Sequence, residues 1–264
     1  MEVHVEEAPV LCNEADGIAT ITLNRPKRLN ALSEEVLSEL QLILDRLATQ
    51  NDLRCVVISG SGAAFCAGHD LREMRTGNRS KEYFESLFAR CARVMQSLGE
   101  MPVPVVARVH GMATAGGCQL CAACDMAIAS TSAQFAVSGI NLGLFCSTPA
   151  VALSRAVNPK QAFEMLVTGR VVSADVARAM GLVSRVVADK DLDSEMSALT
   201  REIASKSGVA IRLGKAMFRK QLSMSLSDAY CHAGEIMAQN MMTEDATEGI
   251  DAFLEKRLPT WKNR

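Results

Sequence analysis

The sequence predicts an α/β protein with a mainly parallel sheet and a helical C-terminal end. Three observations carry this. Short β-branched runs such as Val56-Val57-Ile58 and Val105-Val106-Ala107-Arg108-Val109 alternate with segments whose apolar residues recur at helical spacing. Each of those two runs empties into a loop of small residues and then into a helix pattern. Past Ser138 strand signals give way to helices. Alternation at this spacing implies right-handed crossovers, and ligands of such sheets sit at the carboxyl ends of the strands.

In chain order, Val10-Leu11-Cys12 and Ile18–Leu23 flank Glu14-Ala15-Asp16-Gly17, a hairpin signal because Asp-Gly is a strong turn dipeptide. Pro26 in Asn24–Leu32 breaks the strand. Ser33 followed by Glu34 and Glu35 reads as an N-cap with acids in the first turn, and Val36, Leu37, Leu40, Leu42, Ile43, Leu44 and Leu47 continue a helix. Arg54 to Ser59 is a buried strand, Gly60 to Gly68 a loop, and Lys81 to Leu98 a helix with Phe84, Leu87, Phe88, Cys91, Val94, Met95 and Leu98 on one stripe. The strand at Val105–Val109, a second loop, a short helix from about Gly116 and a strand at Asp125–Ala129 follow. Helices are expected over Ser147–Val157, Lys160–Thr168, Ser173–Met180, Leu192–Ser205, Val209–Leu222, Leu226–Met242 and Glu244–Lys256. The division falls near residue 190: a β/α core over 1–190 and a helical region over 191–264.

Composition narrows the function classes. The 264 residues are 48% hydrophobic but only 4% aromatic, so the core is aliphatic and rich in methionine. Lys plus Arg at 28 and Asp plus Glu at 30 give a net charge of −2, which argues against a nucleic-acid partner. No apolar run reaches membrane-spanning length, so no membrane partner is expected. Met1 to Val10 holds three glutamates and no apolar or Arg/Ser-rich run, so neither a secretory signal nor a transit peptide is written there. The expected location is a bacterial-type cytoplasm, or the mitochondrial matrix if a transit peptide has been removed. Nine irregularly spaced cysteines read as buried thiols in a reducing compartment. Cys118, Cys121 and Cys124 imitate an iron–sulfur run, but the fourth cysteine followed by proline is missing; they read as one small-residue helix face, and no metal is expected.

The two loops carry the chemistry. Ala63–Leu71 and His110–Leu120 each place unpaired backbone N–H groups at a helix start, and two such sites brought together would hold an oxyanion. Gly116 lets a ligand approach the main chain closely.

With these loops in view, the motifs Asn24-Arg25-Pro26, Phe65-Cys66-Ala67-Gly68-His69-Asp70-Leu71, Gly111 through Leu120, Ala133-Gln134-Phe135, Leu166-Val167-Thr168-Gly169 and Phe253-Leu254-Glu255-Lys256-Arg257 resemble the crotonase (enoyl-CoA hydratase/isomerase) superfamily over about residues 8 to 258. The resemblance implies a spiral of ββα turns, a C-terminal helical trimerisation region, homotrimers or dimers of trimers, and thioester chemistry in fatty-acid metabolism. It also implies that the backbone N–H groups of His69 and Gly116 bind the carbonyl oxygen of an acyl-CoA thioester. No cofactor is then bound permanently, and coenzyme A arrives as part of the ligand. The loop Ala67, Gly68, Asp70 and Leu71, with Lys27, Arg28 and Arg72 beside it and Lys256 from the tail, would meet the coenzyme A portion. The His69 imidazole is not expected to be catalytic.

One departure decides the functional reading. The two glutamates of the family's hydratases fall on Gln119 and Gly139, so both carboxylates are absent. Gln119, three residues after Gly116, shares its helix face and can position a water but cannot exchange a proton. Asp70, Asn141, Cys146 and Ser147 are nearby substitutes, Asp70 being a loop cap. Glycine at 139 suggests a positive φ, where a side chain would be strained. Two readings follow: a lyase or isomerase with altered or weak chemistry, and an acyl-CoA carrier or sensor. In the tail, Met217, Phe218, Leu222, Met237, Met241 and Met242 are expected to be buried between subunits.

Overall fold

A computed structural model describes residues 8–76 and 80–264; residues 1–7, which carry most of the N-terminal leader argument, lie outside them. Strands β1 (Val10–Ala15) and β2 (Ile18–Leu23) form the antiparallel hairpin. Its turn residues Asp16 and Gly17 both have positive φ, 52° and 75°, the geometry that matches the twist of paired strands. Ser33 caps α1 (Glu34–Ala48) by accepting from the Val36 N–H, and the helix buries Val36, Leu37, Leu40, Leu44 and Leu47.

Three times a buried strand is followed at once by a short strand in a second sheet and then by helix. The first turn is β3 (Cys55–Gly60), β4 (Ala64–Cys66), α2 (Leu71–Arg75) and α3 (Lys81–Glu100). The second is β5 (Val105–Val109), β6 (Met112–Thr114) and α4 (Gly116–Ala123). The third is β7 (Met126–Ser130), β8 (Gln134–Ala136), a 3-10 turn over Ser138–Leu142, and α5 (Ser147–Ala156). Then come α6 (Pro159–Thr168), β9 (Val172–Ser173), α7 (Ala174–Met180), β10 (Arg185–Val187), α8 (Leu192–Ala204), α9 (Gly208–Gln221), α10 (Leu226–Met241) and α11 (Glu244–Leu254). One sheet orders as β1-β2-β3-β5-β7-β10, parallel except for the hairpin, and the other as β4-β6-β8-β9. This is the expected spiral of ββα units.

The core lies between the sheets and helices α1, α3 and α4, around Phe65, Phe135, Leu32, Ile58 and Leu98. The other face of the large sheet, carrying Cys55, Val57, Val106 and Ile128, is covered by Leu192, Met196 and Leu199 of α8. Helix α9 is anchored by charge: Lys215 Nζ donates to the Leu98 and Val103 carbonyls and to Asp125 at 2.6 Å, and Arg219 grips the same carboxylate. Burial pulls the Lys215 pKa down while Asp125 opposes the shift. Beyond it α10 buries no residue, and Phe218, Leu222, Met237, Met241 and Met242 are exposed while Met217 is half-buried. Among the described residues no helix is long and apolar enough to cross a membrane.

The differences from the sequence reading have one cause. Strands β4, β6, β8 and β10 span three residues each, too short for alternation to register, so the first two fall in stretches read as loops. Helix α2 is a five-residue segment capped by Asp70, which accepts from the Arg72 N–H. The 118/121/124 cysteines face the core, and burial pushes the Cys118 thiol up to about 12 and the other two further.

Backbone packing at the start of α4 is tightest at Gly117, where a Cβ would lie 2.0 Å from the Cys66 carbonyl oxygen, whereas a Cβ at Gly214 in α9 meets nothing within 4 Å. Urea unfolding should therefore show Gly117→Ala destabilised by at least about 1–3 kcal/mol. Gly214→Ala should be stabilised by about 0.5–1 kcal/mol, the ordinary helix-interior preference. Equal midpoints for the two variants would contradict this packing.

Candidate active site

The two loops meet at the first turn of α4. Leu32 runs beside the chain at His69 as an isolated parallel bridge, donating its N–H to the Gly68 carbonyl at 2.8 Å and accepting from the Asp70 N–H at 3.2 Å. In a strand-like segment successive residues direct their main-chain groups to opposite sides, so the His69 N–H faces away from Leu32. Gly116 stands on that side: a Cβ built on it would lie 3.7 Å from the His69 nitrogen, and one built on Gly68 would lie 2.9 Å from the Gly116 nitrogen. Among the described residues neither N–H has an acceptor. As the first residue of α4, Gly116 also presents the positive end of the helix.

The turn that aims Gly116 is strained. Ala115 has φ 49° and ψ −115°, a conformation that ordinary residues avoid at a cost of about 1–3 kcal/mol. It is held by its N–H to the Ala136 carbonyl at 2.9 Å, by the ladder of β6 on β8, and by the Thr114 and Ser138 hydroxyls at 3.0 Å. Gly68, with φ 87°, makes the matching turn opposite.

Gln119 lies in the same first turn and is only 4% exposed, with its Oε1 buried and unpartnered. Side chains of a helix lean toward its N-terminus, which carries the Gln119 amide over the turn at Gly116. Gly139 lies behind that turn, just past Ser138, and its N–H donates to Cys146 Sγ at 3.3 Å. The expected positive φ at Gly139 is not found. What excludes a side chain is packing: a Cβ would sit 2.6 Å from Cys146 Sγ and 2.9 Å from the Leu144 carbonyl oxygen.

The ionisable groups around the turn are neutral or engaged. Asp70 caps α2 and pairs with Arg25 at 3.4 Å. Burial pushes the Cys66 thiol up to about 12 and raises that of Cys146. The His69 ring stacks edge-on against Phe88 at 5.4 Å, and its two buried nitrogens reach no partner at hydrogen-bond geometry. Burial draws its pKa below the ordinary 6.5, against an upward pull from the Leu32 main chain.

Of the residues assigned to coenzyme A, Ala67 and Gly68 lie in the loop itself, Ala67 donating to the Leu29 carbonyl at 3.0 Å. Leu71 and Arg72 open α2, and Lys27 and Arg28 are exposed on the adjoining 3-10 turn, so these form one rim. Lys256 is exposed past the end of α11, a helix that packs on α9 and α10, and no side-chain hydrogen bond or ion pair of the described residues joins it to the rim. Ser147 begins α5 and donates to the Phe145 carbonyl, and Asn141 is exposed. Sequence reasoning missed two supports, Ala115 and Asn30. Nothing in an alanine announces φ 49°. Asn30 is buried in left-handed backbone, and its amide donates to the Ser61 and Ala64 carbonyls at 2.8 Å. Two surface grooves lie elsewhere: one of about 840 Å³ between the β1–β2 hairpin and α8, and one of about 450 Å³ among α9, α10 and α11.

The enoyl-CoA hydratase/isomerase family model matches residues 13–264. The mitochondrial enoyl-CoA hydratase domain-containing protein 3 of Rattus norvegicus is 46% identical over 250 residues, 95% of this chain and 83% of the relative. Its Homo sapiens counterpart is 45% identical over 258 residues, 98% of this chain and 85% of the relative. A crystal structure of an enoyl-CoA hydratase from Mycobacterium smegmatis superposes with a TM-score of 0.95 at 55% identity, covering 97% of this chain and 99% of that one. The crystal structure of the human domain-containing protein 3 superposes at 0.93, covering 96% and 100%.

The buried imidazole makes a pH prediction. Because its folded-state pKa is depressed, the unfolded chain takes up the proton first as pH falls. Its contribution to stability is complete above 6.5 and is lost as pH falls below that toward the folded-state value. Urea unfolding from pH 7.5 to 5 should show a loss of stability that is shallower in His69→Gln. Parallel pH profiles for the two proteins would refute it.

Proposed function

The chain belongs to the enoyl-CoA hydratase/isomerase family, and on that premise we propose that it binds an acyl-CoA thioester at the turn between His69 and Gly116 but does not run a two-carboxylate hydration. The observation that carries this is the pair of unacceptored N–H groups side by side at the head of α4. Two main-chain donors and a helix terminus in a dry recess suit the oxygen of a thioester carbonyl, and suit it better as charge accumulates there. Lys27, Arg28 and Arg72 supply cations on the rim for the phosphates of coenzyme A, which arrives with the ligand.

Hydration needs one group to take a proton from water and one to deliver a proton to carbon, each contributing roughly 10^2 to 10^4-fold. Gln119 and Gly139 do neither, the thiols at 66 and 146 are held protonated, and Asp70 is engaged with Arg25. The same facts favour, as a second reading, an acyl-CoA carrier or sensor that keeps the pocket without turnover.

Calorimetry with a saturated acyl-CoA beside a crotonyl-CoA hydration assay tests both parts. Binding is expected with little or no hydration. Gly116→Pro removes one donor and, in a protein shown to be folded, should weaken binding more than tenfold, about 1.4 kcal/mol. Undiminished binding in a folded Gly116→Pro protein refutes the assigned oxygen site. Hydration turnover in the usual enzymatic range of roughly 1 to 10^3 per second refutes the loss of the standard mechanism.

Assembly is part of the same proposal. Exposed Phe218, Leu222, Met237, Met241 and Met242 form apolar surface that α9 and α10 leave uncovered within one chain. Sedimentation at micromolar concentration is expected to give a homotrimer or a dimer of trimers; a stable monomer would show that this surface serves something else.

A further inference from the structure

The structure assigns to His110 a positioning role: a neutral imidazole, protonated on Nε2, that ties the turn between β3 and β4 to the turn between β5 and β6 and so sets where the His69 loop stands. The inference uses the acyl-CoA reading above for one arm of its test and stands on its own geometry for the others.

Gly62 comes seven residues before His69 and His110 six before Gly116, so each turn feeds one of the two donor segments. The first turn, over 61–63, is held largely by side chains. Asn30 Nδ2 donates to the Ser61 and Ala64 carbonyls, both at 2.8 Å, and His110 Nε2 lies 2.8 Å from the Gly62 carbonyl oxygen. The main chain adds the Ser61 N–H on the Leu23 carbonyl at 2.9 Å. Toward the second turn, an isolated bridge joins Ala64 to Gly111, and a Cβ at Gly111 would lie 2.1 Å from the Ala63 carbonyl oxygen. A single bridge lets two stretches of backbone pivot on each other. The His110 ring supplies a second point of attachment beside it.

The place of the ring proton follows from the other side of the imidazole. Arg108 Nη1 lies 3.3 Å from His110 Nδ1. A guanidinium stays protonated and carries only donors, so Nδ1 accepts, and the proton stands on Nε2, facing a carbonyl oxygen that can only accept. Arg108 is aimed in turn by its Nε, which donates to Asp193 of α8 at 2.6 Å. Asp193, Arg108, His110 and Gly62 thus form a line of hydrogen bonds from α8 to the turn, in which each bond fixes the sense of the next. A second proton on the ring would set Nδ1–H against the guanidinium N–H and break the line in its middle. Gly60, Gly62, Arg108 and His110 border a polar recess of about 440 Å³, roomy enough for water. Without the ring, water from that recess would take the Gly62 carbonyl, and the turn would lose its tie to His110.

Nitrogen NMR of the imidazoles at neutral pH, amide hydrogen exchange at Ser61 and calorimetry with a saturated acyl-CoA test this on the full chain. The wild-type His110 resonances should show Nδ1 unprotonated and Nε2 protonated. His110→Leu, which fills the space without the bond, should speed Ser61 exchange and weaken acyl-CoA binding, each by roughly threefold to tenfold, the worth of one hydrogen bond. His110→Gln puts an amide N–H where Nε2 stands and should restore both to within about twofold of wild type. A role in packing alone predicts the reverse order, with leucine nearer to wild type than glutamine. Should His110→Leu not fold, Arg108→Met, which removes the donor that orients the ring, makes the same comparison. A wild-type ring protonated on Nδ1 overturns the assignment, and so does unchanged Ser61 exchange in the folded variant. Accelerated exchange with unchanged acyl-CoA affinity overturns the bearing of the clamp on the His69 loop. Wild-type protein that binds no acyl-CoA overturns the binding reading, and the NMR and exchange results still decide this one.

Discussion

The first turn of α4 sits against the chain between Cys66 and Gly68 more closely than any side-chain carbon permits. A Cβ at Gly117 would overlap the Cys66 carbonyl, one at Gly68 would press on the Gly116 nitrogen, and one at Gly116 would crowd Leu32. That approach brings two main-chain donors from distant parts of the sequence to one point, and much of the fold serves to hold it. The Leu32 bridge fixes one side, and the pairing of β6 with β4 and β8 fixes the other. Strain at Ala115 persists because hydrogen bonds on the Ala115 N–H and the Thr114 hydroxyl over-determine its geometry.

The rest of the structure keeps this point dry and rigid. Chain reversal from the large sheet into the small one occurs three times at the carboxyl ends of parallel strands, and the second reversal delivers Gly116. Away from the Arg25–Asp70 pair, charge fastens helices. Asp125 holds Lys215 and Arg219 of α9, and Asp245 accepts from Ser207 and from the Lys262 and Asn263 main chain, closing the C-terminal segment onto α9. Removing one partner of such a partly buried set exposes the others to desolvation, so these pairs act more as fasteners of position than as sources of net stability.

What the sequence made legible follows from which signals are local. Capping serines at Ser33, Ser173, Ser207 and Ser225 each accept a main-chain N–H at a helix start; of these Ser33 was legible as a cap in the sequence, and the remaining helices were legible from apolar spacing. The buried runs of β3 and β5 were legible for the same reason. The second sheet was not, because three-residue strands exist through long-range partners and carry no period of their own. At the site, the two glycine loops, the glutamine at 119 and the glycine at 139 were visible as residue types. The strain at Ala115 and the filled space beside Gly139 were not, since both depend on neighbours remote in sequence. The expectation of a positive φ at Gly139 failed on this account: glycine stands there because Cys146 and Leu144 leave no room for a Cβ.

That last point bears on how far this site stands from a two-carboxylate one. If Gly139 faced open space, the absence of an acid would be a single side-chain difference on an unchanged scaffold. Instead the thiol of Cys146 occupies the volume and takes the Gly139 N–H, while the Leu144 carbonyl backs it. A carboxylate could enter only by displacing main chain as well as sulfur, at the foot of the α5 helix that Cys146 precedes. The neutral wall is therefore built into the packing of the Ser138–Cys146 segment, while nearer the turn the Gln119 Oε1 and both ring nitrogens of His69 are buried without a hydrogen-bond partner among the described residues.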